Sequence, residues 1–473
     1  MPLLKRPLTA ACVAVVLLLL ASSHLSVYRL TPALPPLTTT AGGPDGDHSA
    51  GEDAEEEEGW CSNVAGRRYL DSFASTWTVS CPPVAGQASM VCFQTDLEEK
   101  ADNFCVLANA VYNPRDHGAT PPISMRHRLP IDAVDAPQRF RSYFNHTGVG
   151  EQLQTIHLNA ASSSPEAGEC HPPIMVVKLE GTGDIWHSML EIWSARLTID
   201  ILRRAKPARD VIGLTTLPGG DSWDGTDVQI YMENMSSELH ASPIFDLWRL
   251  VTGRPPANTT SLARGCYKSV ILPLAGGGHP FWKDHWRSQT CDRSSLLNSF
   301  VDRAVAFYGV QGPPEPSWKK IIRVSIFIRP RYRMILHQRK IIKRLHQAFP
   351  TADVYAHNVD AMNVTQQIQL VQATDVLVGL TGAELTHAMF LKPGGALVEM
   401  LRPEPGRPVS FESLARMRGV EYSSMPATEK PNEKKNGLAD IVEIDEEVFL
   451  HTVGDAVAAV QERIMRANGA VLD

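Results

Sequence analysis

The stretch that decides the fold is DVLVGLTGAELTHAMFLKPGGALVEM, residues 375–400. Its apolar start, residues 376–379, predicts a buried strand, and a turn containing Gly382 leads into a predicted helix at 383–391. Residues 396–401 predict the next strand. Such a turn offers backbone N–H groups and the positive end of a helix dipole to a diphosphate, although ordinary strand-to-helix turns have the same composition.

The surrounding sequence continues the alternation of short apolar strands and helices. Strands are predicted at residues 321–328 and 353–357, helices at 338–349 and 365–373, and a terminal helix at 456–465. Strict alternation of this kind is typical of a parallel, doubly wound sheet.

The first half predicts mixed α and β structure. A strand at residues 174–179 is followed by a glycine-bearing loop and a helix at 186–202, and a strand at 269–274 precedes a helix at 294–308. We therefore predict an α/β protein of the GT-B arrangement, in which two Rossmann-like domains face each other across a cleft. The predicted boundaries are 60–315 for the N-terminal α/β domain, 316–430 for the C-terminal Rossmann-like domain, and 431–473 for a polar loop and terminal helix.

The N-terminus predicts entry into the secretory pathway. Lys5 and Arg6 precede an uncharged, largely apolar segment, which is either an uncleaved signal anchor at residues 7–29 or a cleaved signal peptide. The two basic residues orient the remainder into the lumen. Residues 30–59, rich in Pro, Thr, Gly and acid, predict a disordered stem. As an anchor, the segment predicts a single-pass type II protein of the Golgi or endoplasmic reticulum membrane.

Composition agrees with a lumenal body. The net charge of -7 argues against nucleic-acid binding. Of eight cysteines, Cys12 lies in the apolar segment, and an oxidising compartment favours pairing of Cys92 with Cys105 and of Cys266 with Cys291, with buried free thiols as the alternative. Glycosylation sequons begin at Asn145, Asn234, Asn258 and Asn363.

Residues 375–400 resemble the family 61 glycosyltransferases, whose C-terminal domain carries a Val-Gly-x-His-Gly-Ala-Gly-Leu-Thr-His/Asn block, then Phe-Leu-x-Pro-Gly and a strand ending in Glu. Further similarities run from Cys92 to Pro403. The matching positions of the block are Gly379, Gly382, Ala383, Leu385, Thr386, His387, Phe390, Leu391, Pro393, Gly394 and Glu399. The resemblance implies an inverting, nucleotide-sugar-dependent transferase.

Two positions depart from the family block. Thr381 stands where the family usually has His, and Glu384 stands where it has the second Gly. A carboxylate there would repel a diphosphate by about 4 kcal/mol per charge pair at 4 Å and an effective dielectric near 20, unless it meets Arg329 or Arg333. Alternatively, Glu384 accepts hydroxyls of the ribose or sugar, or caps the helix.

The donor site is predicted on the C-terminal domain. Arg329 and Arg333 resemble the family's Arg-x-x-x-Arg after a strand, and guanidinium groups suit a diphosphate, although a solvated basic face is the alternative. The other donor-site candidates come from the family block: Gly382, Ala383, Glu384, Leu385, Thr386, His387 and Glu399. His387 is either a donor-pocket or a helix-packing residue, and Glu399 a candidate acceptor of ribose hydroxyls.

The catalytic base is predicted on the N-terminal domain. Inverting transfer needs a base that takes the proton of the acceptor hydroxyl. Glu191 and His187 lie four residues apart on one helix face, where Glu191 is the first choice and His187 the alternative or its orienting partner. Asp184 is the next candidate, and a purely structural helix with Glu191 on its surface is the contrasting interpretation.

The predicted function is transfer of a sugar, xylose or GlcNAc, from a UDP-sugar to a glycoprotein or glycan acceptor. The alternative is a catalytically inactive relative that binds glycans or glycoproteins. We predict no metal and no cofactor beyond the UDP-sugar co-substrate, because the predicted catalytic body contains no Asp-x-Asp and no clustered His and Cys ligands.

Overall fold

The computed structural model describes residues 60–81, 89–95, 102–112, 147–155, 170–180, 184–205, 223–233, 235–240, 242–276, 291–311, 321–329, 333–401, 409–430 and 441–467. The anchor and stem predicted at residues 7–29 and 30–59 lie outside these ranges. Within these ranges no helix combines the length and the apolar character that crossing a membrane would require.

The first sheet is mixed and has seven described strands in the order β1-β2-β3-β7-β4-β5-β6. The first three strands and β7 pair antiparallel, whereas β7, β4, β5 and β6 run parallel. The bounds are β1 Trp77–Cys81, β2 Ser89–Gln94, β3 Asn103–Tyr112, β4 Ile174–Lys178, β5 Gln229–Glu233, β6 Ala257–Asn258 and β7 Gly265–Leu272. The prediction of a Rossmann-like N-terminal half is therefore correct only for the parallel part, because an antiparallel meander extends one side of the sheet.

The second sheet has seven described strands in the order β10-β8-β11-β12-β13-β14-β9. The strands from β10 to β13 run parallel, and β14 pairs antiparallel with β13. The bounds are β8 Arg323–Phe327, β9 Met334–Ile335, β10 Asp353–His357, β11 Val376–Leu380, β12 Ala396–Leu401, β13 Glu421–Lys430 and β14 Ile441–Ile444. The predicted parallel sheet is confirmed, and β13, β14 and β9 extend it.

The helices pack on both sheets. The α-helices are α1 Trp60–Ala65, α2 Arg67–Ser75, α3 Val149–Thr155, α4 Ile185–Arg204, α5 Ser237–His240, α6 Arg249–Thr252, α7 Ser295–Phe307, α8 Gln338–Ala348, α9 Val364–Gln372, α10 Ser410–Arg418 and α11 Glu446–Ala467. Helices of the 3-10 type are Phe245–Trp248, Thr259–Ser261, Val359–Ala361 and Ala383–Phe390. We call Ala383–Phe390 the turn helix; the predicted element there is a helix, but its backbone is 3-10 rather than α.

Two apolar clusters form the core. The larger joins the first sheet and α4 to the face of the second sheet that carries α9, the turn helix and α10. The smaller lies between the opposite face of the second sheet and α8 and α11. Alternation along β12 explains this division, because Leu397 belongs to the larger cluster and its neighbour Val398 to the smaller.

Candidate functional site

The second sheet has a cleft at the carboxyl ends of its strands. The chain passes from β8 to β10 on one side and then returns to β11 on the other, so the strand order reverses beside β8. Such a reversal opens a crevice in which doubly wound sheets bind ligands. A small cleft lies there. Its lining comes from the ends of β8, β10 and β11 and from the turn helix: Phe327, Ile328, Arg329, Val359, Asp360, Leu380, Glu384 and Leu385.

Arg329 is held by Glu384 at this cleft. Its Nη2 forms an ion pair with Glu384 Oε2, and both side chains are largely buried, with 13% and 18% exposed. The guanidinium also lies against Gly382, where a β-carbon would collide with it. The departure at Glu384 from the family block is thus compensated in the way the sequence suggested, by pairing with an arginine.

Arg333 reaches the same turn by a different route. Its Nη1 donates to the carbonyl of Thr381 at 2.5 Å. Its backbone has φ 53°, in the left-handed region that residues other than glycine adopt rarely. Thr381 is itself bound to the end of β12, through donation from its N–H to the Met400 carbonyl at 3.0 Å. Both predicted donor-site arginines therefore contact the segment from Thr381 to Glu384.

The remaining residues of the family block pack the turn helix. Leu385 is buried, and it lies so close to Gly379 that a β-carbon there would be 2.8 Å from Leu385 Cδ2. Thr386 is buried, whereas Ala383 is partly buried against the larger cluster. Leu385 lines the cleft, and Gly379 gives it room.

His387 is a packing residue of the turn helix. Its Nδ1 lies 2.7 Å from the carbonyl oxygen of Glu384, and its Nε2 lies 2.8 Å from Gln367 Oε1. Its ring also packs edge-on against Phe327. Burial lowers the pKa of the imidazole to about 4, because the charged ring is disfavoured away from water. Of the two roles that the sequence left open, these contacts favour packing.

Glu399 is buried within β12. Its Oε2 accepts a hydrogen bond from the Tyr422 hydroxyl at 2.8 Å. It lies beside Gly379 of β11, in the register of the parallel ladder. The carboxylate thus has a protein donor, and a contact with ribose hydroxyls stays a prediction.

The first sheet has a second cleft in the equivalent position. The chain runs from β4 through β5 to β6 and then places β7 on the opposite side of β4, so the strand order reverses between β4 and β7. A small cleft lies there. Its lining comes from β4, the segment after β7, α3 and α4: Gly148, Gln152, Val177, Lys178, Glu191, Ala195, Pro273, Leu274, Ala275 and Gly276.

Glu191 is a buried acid of this second cleft rather than a surface residue of α4. It is 6% exposed, and its Oε1 accepts a hydrogen bond from the backbone N–H of Glu180. Glu180 is 2% exposed and accepts from the Thr147 hydroxyl at 2.9 Å. Sequence reasoning missed both partners. Glu180 follows a predicted strand closely, which could have identified it, whereas Thr147 has no local signal.

Asp184 and His187 form a pair at the start of α4. The carboxylate caps the helix by accepting from the His187 backbone N–H at 3.1 Å, and Asp184 Oδ2 lies 2.6 Å from His187 Nδ1. Burial alone would raise the pKa of Asp184, but the hydrogen bonds from the side chain and backbone of His187 outweigh it and leave that pKa lowered. The imidazole therefore has Asp184 as a partner, and an aspartate in this position orients a histidine ring.

Helix α4 connects the two clefts. It carries Glu191 of the second cleft and packs against the turn helix, which carries Glu384 of the first. At its start, Trp186 packs edge-on against Phe411 of α10, with ring centroids 5.1 Å apart. The candidate base and the candidate donor-site residues thus lie on elements in direct contact.

The disulfides correct one predicted pair. Cys92 is bonded to Cys105, as predicted, across adjacent strands β2 and β3. The predicted pair of Cys266 with Cys291 is wrong, because Cys266 is bonded to Cys170 and Cys291 to Cys61. The segment of Cys170 lies beside β7, where His171 pairs with Tyr267, and the segment of Cys291 lies beside α1, where the Ser294 hydroxyl donates to the Ala65 carbonyl.

Two predicted sequons lie on described residues. Asn258 and Asn363 each cap a short helix, because the side chain accepts a hydrogen bond from a backbone N–H of that helix. Asn145 and Asn234 lie outside the described residues. In the part of the chain that the structure describes, no group of three or more His, Cys, Asp or Glu side chains could hold a metal ion.

Sequence comparison finds known proteins that are similar to part of this chain. Residues 220–398 match Glycosyltransferase 61. The EGF domain-specific O-linked N-acetylglucosamine transferase of Drosophila melanogaster is 25% identical over 264 residues, 54% of this chain and 46% of the relative. The proteins of that name from Canis lupus familiaris and Xenopus laevis are both 27% identical, over 42% and 43% of this chain and 38% and 39% of theirs.

The chain spans less than half the length of these curated relatives. A crystal structure described as a D-3-phosphoglycerate dehydrogenase from Ralstonia solanacearum aligns with 63% of this chain and 95% of its own at 11% identity, but its TM-score of 0.16 supports no conclusion about fold. The family match includes Arg329, Arg333 and Glu384, whereas Glu191 precedes it. The resemblance seen in the sequence is thus confirmed: residues 220–398 of this chain are similar to the Glycosyltransferase 61 family.

Proposed function

We propose that this protein is an inverting glycosyltransferase of the GT-B arrangement. It transfers a sugar, xylose or GlcNAc, from a UDP-sugar to a hydroxyl of a glycoprotein or glycan. One observation carries the proposal: within the family match, Arg329 and Arg333 contact the glycine turn at a strand-order reversal, where a doubly wound sheet binds its ligand. The relatives are named as N-acetylglucosamine transferases that act on EGF domains, which supports a sugar donor and a protein acceptor.

The donor binds with its diphosphate at the two arginines. Guanidinium groups stabilise the negative charge that grows on the leaving diphosphate, so no metal ion is needed for this step. Glu384 already neutralises much of the charge of Arg329, so Arg333 and the backbone of the turn carry a larger share of the binding. Glu399 and the remaining lining residues hold the nucleoside.

The acceptor hydroxyl attacks from the side of the second cleft. Its oxygen forms a bond to the anomeric carbon while the bond from that carbon to the diphosphate breaks, which inverts the configuration. Glu191 takes the hydroxyl proton and UDP departs with the bonding electron pair. The pair of His187 with Asp184 is the alternative base, because an aspartate can orient the imidazole for this role.

The proposed location follows from the N-terminal segments of the sequence. A signal anchor at residues 7–29 and a stem at 30–59 would hold the body in the lumen of the Golgi or endoplasmic reticulum. The three disulfides support an oxidising compartment, because such bonds persist there.

A second candidate function is a catalytically inactive binding protein. It is favoured by Glu384, whose carboxylate occupies Arg329 where the family block has glycine. Release of UDP from a panel of UDP-sugars by the purified protein, with and without a chelator, separates the two. Transferase function predicts chelator-resistant release from one donor. Loss of activity on chelation with recovery in manganese would overturn the metal-free mechanism, and no release from any donor would favour the binding protein.

A further inference from the structure

A chain of hydrogen bonds holds the Glu191 carboxylate at the second cleft. The Thr147 hydroxyl donates to Glu180 Oε1 at 2.9 Å, and the backbone N–H of Glu180 donates to Glu191 Oε1. The three residues are 0%, 2% and 6% exposed. The chain therefore connects the residue before α3, the segment after β4 and helix α4 within the protein interior.

Gly276 fixes the same arrangement from the opposite side. A β-carbon at this position would lie 3.1 Å from Glu180 Oε2, 3.2 Å from Glu191 Cγ and 3.3 Å from the Glu191 backbone nitrogen. The segment after β7 therefore lies directly against both acids. The segment with Glu180 and the segment with Gly276 thus both meet Glu191 of α4, and Thr147 is bonded to Glu180.

We infer that Glu180 is a positioning residue for the candidate base Glu191, and that Thr147 holds Glu180 in place. The inference rests on the proposed function, in which Glu191 takes the proton of the acceptor hydroxyl. A backbone N–H bond restricts the rotation of the carboxylate, and a base must be held within a fraction of an ångström of its productive position. The Thr147 hydroxyl acts one step further away, since it fixes the residue whose N–H makes that bond.

Glu180 also sets the charge around Glu191. A neighbouring carboxylate disfavours the ionised form of an acid, and this like charge is the one that Glu180→Gln removes. Lys178, of opposite charge, lines the same cleft.

Three variants test the inference. Thr147→Val removes the hydroxyl and keeps the shape, Thr147→Ser keeps a hydroxyl, and Glu180→Gln removes the charge of the neighbour. We expect Thr147→Val to lower kcat about 10- to 100-fold, because small displacements of a base have effects of that size. Thr147→Ser should keep most of the kcat of the unaltered protein. Glu180→Gln should move the acid limb of the pH–rate profile to lower pH, since the like charge beside the base is gone.

Thr198→Val is the structural control. Thr198 is 0% exposed and lies on the same helix as Glu191, but its hydroxyl bonds to the Ser194 carbonyl and the Leu274 N–H. It should lower the melting temperature and leave the pH–rate profile unchanged. An unchanged kcat in Thr147→Val, or an unmoved profile in Glu180→Gln, would overturn the inference while Glu191→Gln still abolishes transfer. If Glu191→Gln itself retains transfer, the assignment of Glu191 as the base is wrong. If the unaltered protein does not bind UDP, the assignment of the donor site is wrong.

Discussion

Arg329 and Glu384 form an ion pair at the carboxyl edge of the second sheet, and the guanidinium lies directly against the α-carbon of Gly382. A carboxylate thus stands among the groups expected to bind a diphosphate. Its charge is compensated inside the protein, yet it occupies one edge of the guanidinium fork. The affinity of the donor site depends on how these two effects balance.

Removal of the Glu384 charge is expected to strengthen donor binding. In Glu384→Gln, the carboxylate no longer competes with the diphosphate for Arg329. The cleft also loses a negative charge whose repulsion of phosphate is about 4 kcal/mol per close charge pair at an effective dielectric near 20. Looser positioning of Arg329 offsets part of this gain. We expect UDP to bind about tenfold more tightly by calorimetry, corresponding to about 1.4 kcal/mol. Glu412→Gln, which breaks a surface pair with Arg416, is the control. Weaker binding in Glu384→Gln would instead identify Glu384 as a direct ligand of donor hydroxyls.

Gly382 is expected to tolerate no side chain. Gly382→Ala would push the Arg329 guanidinium from its place and weaken UDP binding about tenfold or more, the effect of losing one charged hydrogen bond. Gly394→Ala is the matched control, because its β-carbon meets nothing within 4 Å although its φ of +85° is strained for alanine. That variant should lose stability and keep its UDP affinity. Equal UDP affinity in both variants would contradict the role of Gly382.

The two arginines are expected to contribute separately to donor binding. Arg329→Ala and Arg333→Ala should each weaken UDP binding by about 1.5–3 kcal/mol, the range for a hydrogen bond to a charged group. Arg344→Ala, whose partners Glu446 and Glu447 lie on α11, provides a control of equal charge change. If calorimetry finds the native UDP affinity in both variants, the diphosphate does not bind at this cleft.

Glu191 and His187 can be distinguished by comparing two variants. If Glu191 is the base, Glu191→Gln keeps the hydrogen bond from Glu180 but removes basicity, and turnover should fall about 10²–10⁴-fold. UDP binding should persist, because the diphosphate is bound by the second sheet. His187→Ala should have the smaller effect on turnover with a true acceptor. The reverse order would assign proton abstraction to His187 with Asp184, and near-normal turnover in both would leave α4 a structural helix.

His387 should make stability depend on pH. Its pKa falls from 6.5 to about 4 on folding because of burial, so the unfolded chain binds this proton more readily. The associated stability is present above pH 6.5 and is lost as the pH falls toward 4. We expect the free energy of unfolding to fall by about 1–3 kcal/mol. The fall is limited because the charged ring would keep its hydrogen bonds to the Glu384 carbonyl and Gln367. Urea unfolding of the protein and of His387→Asn at pH 7 and pH 4.5 measures this change in the free energy of unfolding. An identical change in the protein and the variant would contradict a role of His387 in it.

The sequence by itself determined four neighbouring strands of the second sheet, β10, β8, β11 and β12. The strands predicted at residues 353–357 and 396–401 have the observed bounds, and those at 321–328 and 376–379 differ by a few residues at their ends. Strands β11 and β12 are buried on both faces, so each is a nearly continuous apolar run, and the glycines between them end each element clearly. The same local signals located α4 and the cleft edge with its two arginines.

The antiparallel strands β1, β2 and β3 were not predicted, although β2 (SMVCFQ) and β3 (NFCVLANAVY) have the apolar composition that is typical of buried strands. β13 was also not predicted, since its sequence, EYSSMPATEK, is largely polar and contains a proline. Its pairing with β12 is set by the neighbouring strand rather than by its own side chains.

Only the tertiary structure decided the environment of each site residue. Local sequence places Glu384 on a first helical turn, but its pairing with Arg329 joins elements separated by more than fifty positions. Burial of Glu191 and its bond to Glu180 likewise require β4, β7 and α4 to meet, and the partners of Cys266 and Cys291 lie in distant segments. The physical reason is common to all three: backbone propensity and apolar periodicity act over a few residues, whereas charge pairing, burial and disulfide bonding depend on which segments the folded chain brings together.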